Sequence, residues 1–252
     1  MPCKLGIIAW VAYKLKSHLL PHLNNNGISL DQKGSLPVSV ELISIPARVS
    51  HSGTYSAIKR GLDIVFASLA LALLFPLFVV ISCIIFATDQ GPIIYRQKRV
   101  GRNGEHFTFY KFRSMVTNAD ALKARLAAQN EASGPIFKMR NDPRITPIGR
   151  FLRKTSLDEI PQFWNVLKGD MSLVGPRPHL QSEIDAYPDY PVERLTVTPG
   201  LICFREVAGR SSLSFERWLE LDLEYVRSRS LKTDLSILLR AIPAILLGRG
   251  AY

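Results

Sequence analysis

Ile64 to Ala87, IVFASLALALLFPLFVVISCIIFA, runs for 24 residues without a charge. At about 1.5 Å per residue, a helix of that length crosses a hydrocarbon core of about 30 Å. Pro76 stands near its middle, where it removes one backbone hydrogen bond and crowds the preceding turn, so a bend is expected there. Each half is too short to cross alone. Lys59 and Arg60 precede the segment and Arg96, Lys98 and Arg99 follow it. Basic flanks favour the cytoplasmic side, and here both flanks are basic. A helix that enters, bends at Pro76 and returns meets both conditions. A straight span leaves one basic flank outside, and a wholly buried core helix is the third reading.

Working outward, residues 1 to 57 read as an N-terminal extension. Ile7, Ile8, Trp10, Val11, Leu15 and Leu19 alternate with Lys4, Lys14 and Lys16, as in a helix lying at an interface. No small-residue cleavage pattern follows the short apolar stretch Leu5 to Tyr13, so it is read as uncleaved. Asn24 to Ser56 is polar, carries Pro37 and Pro46, and reads as linker. Residues 58 to 90 are read as the membrane segment and 91 to 252 as the domain that follows it. In that domain, Ile93 to Lys98 and Phe107 to Phe112 flank the turn-prone Gly101-Arg102-Asn103-Gly104, a β-hairpin pattern. Helices are expected at 118 to 129, 157 to 168 and 214 to 228, a loop from Gly134 to Gly149, and an apolar C-terminal run from Leu235 to Leu247 interrupted by Pro243. The fold class expected is α/β, mostly helical with a small β-hairpin.

A chain of 252 residues with 47% hydrophobic content and a net charge of +11 fits one catalytic domain whose partners carry phosphate or anionic headgroups. The charge is clustered. Tyr95 to Met115 holds six basic residues against Glu105, and Lys138 to Lys154 holds six against Asp142. Nucleic acid or a solvated basic face would account for charge alone. Cys3, Cys83 and Cys203 are odd in number and lack metal-ligand spacing, which fits a reducing, cytoplasmic setting.

The sharpest local feature is Ser156-Leu157-Asp158-Glu159-Ile160-Pro161-Gln162. Ser156 and Glu159 fit a capping box, a purely structural role. Pro161 is comfortable only at a first helical position, so the helix can instead begin near Ile160 and leave both carboxylates ahead of it. The pair can then serve as a nucleophile beside a cation ligand. Gly175-Pro176-Arg177-Pro178 fixes the backbone on both sides of one guanidinium, which suits bidentate phosphate recognition or a rigid turn with an exposed arginine. Lys111 and Arg113 share one strand face by alternation, and Arg153 lies on a helix face or in a site.

Taken together, Arg96 to Gly101 (RQKRVG), Tyr110 to Met115 (YKFRSM), Ser156 to Gln162 and Asn165 to Pro178 (NVLKGDMSLVGPRP) resemble the signature blocks of the bacterial sugar transferases, the monotopic phosphoglycosyl transferases, over roughly Lys59 to Tyr252. The resemblance implies a re-entrant membrane helix broken at a proline and a catalytic domain on the cytoplasmic face of the bacterial inner membrane. Phe75 stands where the family usually has a small residue. By the same resemblance Asp158 is the nucleophile and Glu159 the Mg²⁺ ligand, while Lys111, Arg113, Arg153, Arg177 and Arg210 bind phosphates. The implied substrates are a nucleotide-sugar donor, a UDP-hexose or UDP-N-acetylhexosamine, and polyprenyl (undecaprenyl) phosphate as acceptor, with UMP released. Membrane lipids are partners, nucleic acid is not, and self-association is compatible with the reading. Thr198 to Arg210 resembles a block the family usually closes as WQVSGR, and this chain departs from it around Phe204 and Arg205. Ser211 to Phe215 and Gly248 to Tyr252 match the longer-tailed members, which build lipid-linked intermediates of exopolysaccharide, capsule or O-antigen. The rivals are a non-catalytic basic module tethered to a membrane and an inactive scaffold of a polysaccharide assembly complex.

Overall fold

The computed structural model describes residues 53–132, 134–187, 189–209 and 213–246. The expected interfacial helix and linker before residue 53, and Arg210, lie outside the described residues. Residues 53 to 57, read above as the end of the N-terminal extension, belong to the first helix, α1 (Gly53–Asp89). α1 is the one helix among the described residues long and apolar enough to cross a membrane by length and composition. Its helical run passes through Pro76 instead of stopping there, since one missing backbone hydrogen bond does not end so long an apolar helix.

Both ends of α1 pack on the same domain. Near its start, Arg60 donates to the carbonyls of Val166 (2.5 Å) and Leu167 (2.6 Å), satisfying the open C-terminal end of α4 (Gln162–Lys168). Asp63, buried, accepts from the Ser172 hydroxyl at 3.1 Å and the Leu173 N–H at 2.9 Å. Ala67 is fully buried against a core containing Phe109, Val166, Met171 and Tyr225. Beyond Pro76, Ile81 and Ile85 are buried in a second cluster with Phe112, Leu152 and Ile160. Between these anchors α1 exposes large apolar side chains, Leu73 at 70% and Phe75 at 63% among them.

The hairpin forms as expected: β1 (Ile94–Val100) pairs antiparallel with β2 (His106–Phe112), in register from Ile94↔Phe112 to Val100↔His106. Asn103 and Gly104 supply the positive φ the connection needs (58° and 81°). A short helix, α2 (Ala119–Arg125), occupies part of the expected 118–129 helix. Pro147 to Gly149, read as the end of a loop, instead open α3 (Pro147–Thr155). Thr146 caps that helix by accepting from Gly149 N–H at 3.0 Å, with proline at a first-turn position where its missing N–H costs nothing.

A second, parallel pair was not expected: β3 (Ser172–Val174) lies beside β4 (Gly200–Ile202). Just past β3 the backbones meet at Gly175 and Gly200, where a Cβ on Gly200 would sit 2.0 Å from the Gly175 nitrogen. Gly200→Ala should therefore lower the detergent-solubilised protein's melting temperature, by about 1–3 kcal/mol of overpacking. Gly61→Ala, whose Cβ meets nothing within 4 Å on α1, is the control and should leave it unchanged or raised. Short helices α5 (Gln181–Asp185) and α6 (Phe204–Ala208) follow the strands. α7 (Phe215–Ser228), capped by Ser214, fits the expected 214–228 helix. The apolar C-terminal run forms α8 (Leu231–Leu246), starting four residues earlier than the expected Leu235.

Candidate active site

Ser156 takes a left-handed conformation (φ 58°, ψ 15°) that ends α3 and turns the chain into one 3-10 turn, Leu157–Glu159, before α4 begins at Gln162. The capping box is not formed: Ser156 makes no side-chain cap there, and the Glu159 carboxylate points elsewhere. Both carboxylates stand ahead of the helix, the second of the two starts allowed by the sequence. Glu159 Oε1 accepts from Lys111 Nζ and Arg177 Nη2, each at 2.8 Å. Asp158 is buried, with Oδ2 3.3 Å from the same Lys111 Nζ.

The cations around this pair are fixed by the fold. Lys111 comes from the end of β2. Arg177 is held between two prolines, and its carbonyl accepts from Arg194 Nη2 at 2.8 Å. Arg194, buried, is in turn bonded to Asp222 and Tyr190. Arg99 donates to the Pro178 carbonyl at 2.6 Å, tying β1 to the same turn. Beneath them the buried Phe109 ring offers its face to Arg99, Lys111 and Arg177, at 4.4, 5.8 and 5.9 Å from its centroid. A negative ring face under three cations offsets part of their mutual repulsion.

Of these groups, Arg99, Lys111, Asp158, Glu159 and Arg177 line a cavity of about 510 Å³. Its wall includes Arg153 and, at some remove in sequence, Lys138, Arg205, Glu206 and Trp218, with Leu74 contributed by α1. Trp218 carries Lys138 Nζ at 4.1 Å and the Arg205 guanidinium at 4.5 Å from its ring centroid. Of the residues singled out from sequence, the cavity gathers Asp158, Glu159, Lys111, Arg153 and Arg177. Arg113 is not on its wall: its guanidinium is buried against Gly91, where a Cβ would lie 1.8 Å from Nη1. Arg99, Phe109, Lys138, Arg205 and Trp218 were not assigned a place in the site from sequence. Arg99 sat in a quoted block, but nothing local distinguishes a cavity arginine from a solvated one.

The two carboxylates are driven apart electrostatically. Burial pushes Asp158 above the ordinary carboxyl range; Lys111 opposes this and the charge of Glu159 adds to it. Burial acts on Glu159 too, but Arg177 and Lys111 outweigh it and hold Glu159 well below the usual range. Across the cavity, burial and then Arg205 lower Lys138 to about 8. The arrangement can present one carboxylate as a nucleophile and a second, whose ionised form Arg177 and Lys111 favour, as a cation ligand, within a basic wall suited to phosphate oxygens. Among the described residues no group of three or more His, Cys, Asp or Glu side chains gathers. Two adjacent carboxylates nevertheless fit Mg²⁺, which is commonly held by one or two carboxylates, with substrate phosphates and water completing its shell.

The family model described as bacterial sugar transferase matches residues 54–248. The chain is 44% identical over 196 residues to the galactosyl transferase CpsE of Streptococcus agalactiae, covering 77% of this chain and 43% of that protein. It is 39% identical over 198 residues to the exopolysaccharide production protein ExoY of Rhizobium meliloti, covering 77% of this chain and 88% of the relative. It is 42% identical over 199 residues to the undecaprenyl-phosphate galactose phosphotransferase of Salmonella typhimurium, covering 77% of this chain and 42% of that protein. The match thus spans most of ExoY and less than half of the other two.

Proposed function

The chain belongs to the bacterial sugar transferase family, and from that premise we propose that it moves a sugar-1-phosphate from a UDP-sugar to polyprenyl phosphate through a covalent intermediate on Asp158. The observation that carries this reading is the buried Asp158 set between Lys111 and Glu159 on the wall of a basic cavity that the apolar helix α1 also lines through Leu74. A water-soluble donor can enter from the basic side, and a lipid phosphate can approach along α1.

In the first step an Asp158 oxygen attacks the β-phosphorus of the donor. The bond from that phosphorus to the bridging oxygen breaks, and UMP leaves with the electron pair. Arg177, Lys111 and Arg153 are placed to hold the phosphate oxygens and neutralise the charge that builds on them. Glu159, with Asp158 beside it, would hold Mg²⁺, which supplies further charge neutralisation at the diphosphate when bound. In the second step an oxygen of polyprenyl phosphate attacks the same phosphorus, the aspartyl–phosphate bond breaks, and the Asp158 carboxylate is restored. Names of relatives that specify galactose, N-acetylgalactosamine and glucose support a UDP-hexose or UDP-N-acetylhexosamine donor. Incubating the enzyme with a panel of UDP-sugars and undecaprenyl phosphate, and measuring UMP, tests the reading. One donor of this class should release UMP in a lipid-dependent manner; release from none would end it.

The membrane geometry proposed is re-entrant, with both ends of α1 on the cytoplasmic side. Two features support it: the basic flanks, and the packing of Asp63, Ala67, Ile81 and Ile85 from both sides of Pro76 onto one domain. A spanning helix would carry one of those halves away from that domain. Ala57→Cys and Gln90→Cys, placed singly in a background without the native cysteines, should react with a membrane-impermeant thiol reagent only after the inner membrane is opened. Labelling of either one from the periplasm of intact cells would contradict the re-entrant geometry.

A further inference from the structure

A second hollow, of about 320 Å³, opens beside the first turns of α1. Its wall includes Tyr55, Lys59 and Arg60 of α1, Arg102 of the hairpin connection, and Tyr225 and Arg229 at the end of α7. Among the described residues it shares no lining residue with the catalytic cavity. Lys59 precedes Leu74, the α1 residue on that cavity, by about 22 Å of helix.

Among the described residues four cations, Lys59, Arg60, Arg102 and Arg229, line this hollow with Asp63, whose Oδ1 is already held by Ser172 and Leu173; the Asp234 carboxylate lies beside them and accepts from the Tyr55 and Tyr225 hydroxyls at 3.1 and 2.8 Å. Lys59 is paired with Asp234 at 2.9 Å, and Arg60 with the carbonyls of α4, so both ammonium and guanidinium are fixed in place. Arg102 stands exposed at the rim. Burial first, and the like charge of Arg102 among the lesser causes, keep Arg229 below its usual range. With Lys59 and both tyrosine hydroxyls engaged by Asp234, the groups here that match a phosphate are the guanidiniums of Arg102, at the rim, and Arg229.

The helix supplies the rest of the ligand. Tyr55 and Lys59 lie on the same face of α1 as Leu62, Phe66, Leu69 and Leu73, at spacings of three and four residues. Those four are exposed (44%, 51%, 52% and 70%), while the face carrying Arg60, Asp63 and Ala67 is turned to the core. A polar, basic head site thus runs directly into an apolar stripe. We propose that the hollow seats the phosphate of an anionic phospholipid whose acyl chains lie along Leu62, Phe66, Leu69 and Leu73. The polyprenyl phosphate acceptor does not fit this role, because its phosphate must reach Asp158. The inference shares with the catalytic reading only the placement of α1 at a membrane surface.

The test uses the full chain in phosphatidylcholine nanodiscs doped with acyl-diazirine phosphatidylglycerol or acyl-diazirine phosphatidylcholine. After illumination, phosphatidylglycerol should label the stretch from Gly61 to Leu73 about fivefold more than phosphatidylcholine, the preference one cation near a membrane surface supplies. Arg102→Glu should bring the two lipids level, Arg102→Lys should restore the preference, and millimolar inorganic phosphate should not reduce it. Equal labelling of the native protein by both lipids, or an undiminished preference in Arg102→Glu, would overturn the proposal. Displacement by inorganic phosphate would overturn it in favour of a free-phosphate site. UMP release in the same discs reports separately on the catalytic reading, since Arg102 is not on the catalytic cavity.

Discussion

Asp158→Asn is expected to lose more than about a thousandfold in turnover, while the protein still binds donor and melts no lower than the native one. The first part follows from chemistry: an amide cannot take the place of the attacking carboxylate, whereas Arg177, Lys111 and Arg153 remain to hold phosphate. The second follows from electrostatics. Asp158 has a raised folded-state pKa, with burial as the largest cause, so its ionised form is disfavoured by the fold, and that penalty is felt at pH above the ordinary carboxyl range. Asparagine of the same shape removes the buried charge and the penalty with it. Donor binding followed by calorimetry, and melting followed by intrinsic fluorescence, separate the two effects. A fully active Asp158→Asn enzyme would end the proposed mechanism.

Its neighbour should behave in the opposite sense. Glu159→Gln is expected to lose both activity and stability, because Glu159 has a folded-state pKa held well below the usual range by Arg177 and Lys111 against the cost of burial. Stability from such a group is present above the ordinary carboxyl pKa and is lost as pH falls through the lower, folded value. Removing the carboxylate leaves Arg177 and Lys111 partly buried with one partner fewer, a loss on the order of 3–5 kcal/mol for a broken buried pair. Turnover should fall by about a hundredfold or more, and chelator should abolish what native turnover depends on Mg²⁺. Adjacent, isosteric substitutions that move the melting temperature in opposite directions would be hard to reconcile with a plain helix-capping role for this segment. Near-normal, metal-independent turnover in Glu159→Gln would show that Glu159 is not the cation ligand.

How far sequence leads is clearest at particular residues. The hairpin was legible because alternating aromatic and basic residues flank a Gly-Arg-Asn-Gly connection whose positive φ values only such residues accept easily. The 214–228 helix was legible from its period and its Ser214 cap. The β3–β4 pair was not: each strand is three residues long, and the partners lie 28 positions apart at Ser172 and Gly200, so no local pattern announces them. The start of α3 was missed although Thr146-Pro147 is a cap signal, because the preceding Pro- and Asn-rich stretch looked continuous with it. Asp158, Glu159, Lys111 and Arg177 stood in the quoted blocks and Arg153 outside them, and the structure places all five on one cavity wall. Arg113 shows the limit of strand alternation: it lies just past the end of β2, and its side chain turns to Gly91. Phe109 and Trp218 were illegible as site residues, because an aromatic under a cluster of cations looks in sequence like any core aromatic. Their roles depend on which cations the fold lays over them.

The central claim, a covalent aspartyl phosphosugar, is tested most directly by withholding the acceptor. Native enzyme incubated with donor labelled in the sugar, with Mg²⁺ and without polyprenyl phosphate, should release UMP no further than one equivalent per enzyme. The label should remain on the peptide that contains Asp158 and should discharge when polyprenyl phosphate is added. A fully active enzyme that releases no UMP without acceptor and never carries label on Asp158 would contradict the account and place the attack on the lipid phosphate itself.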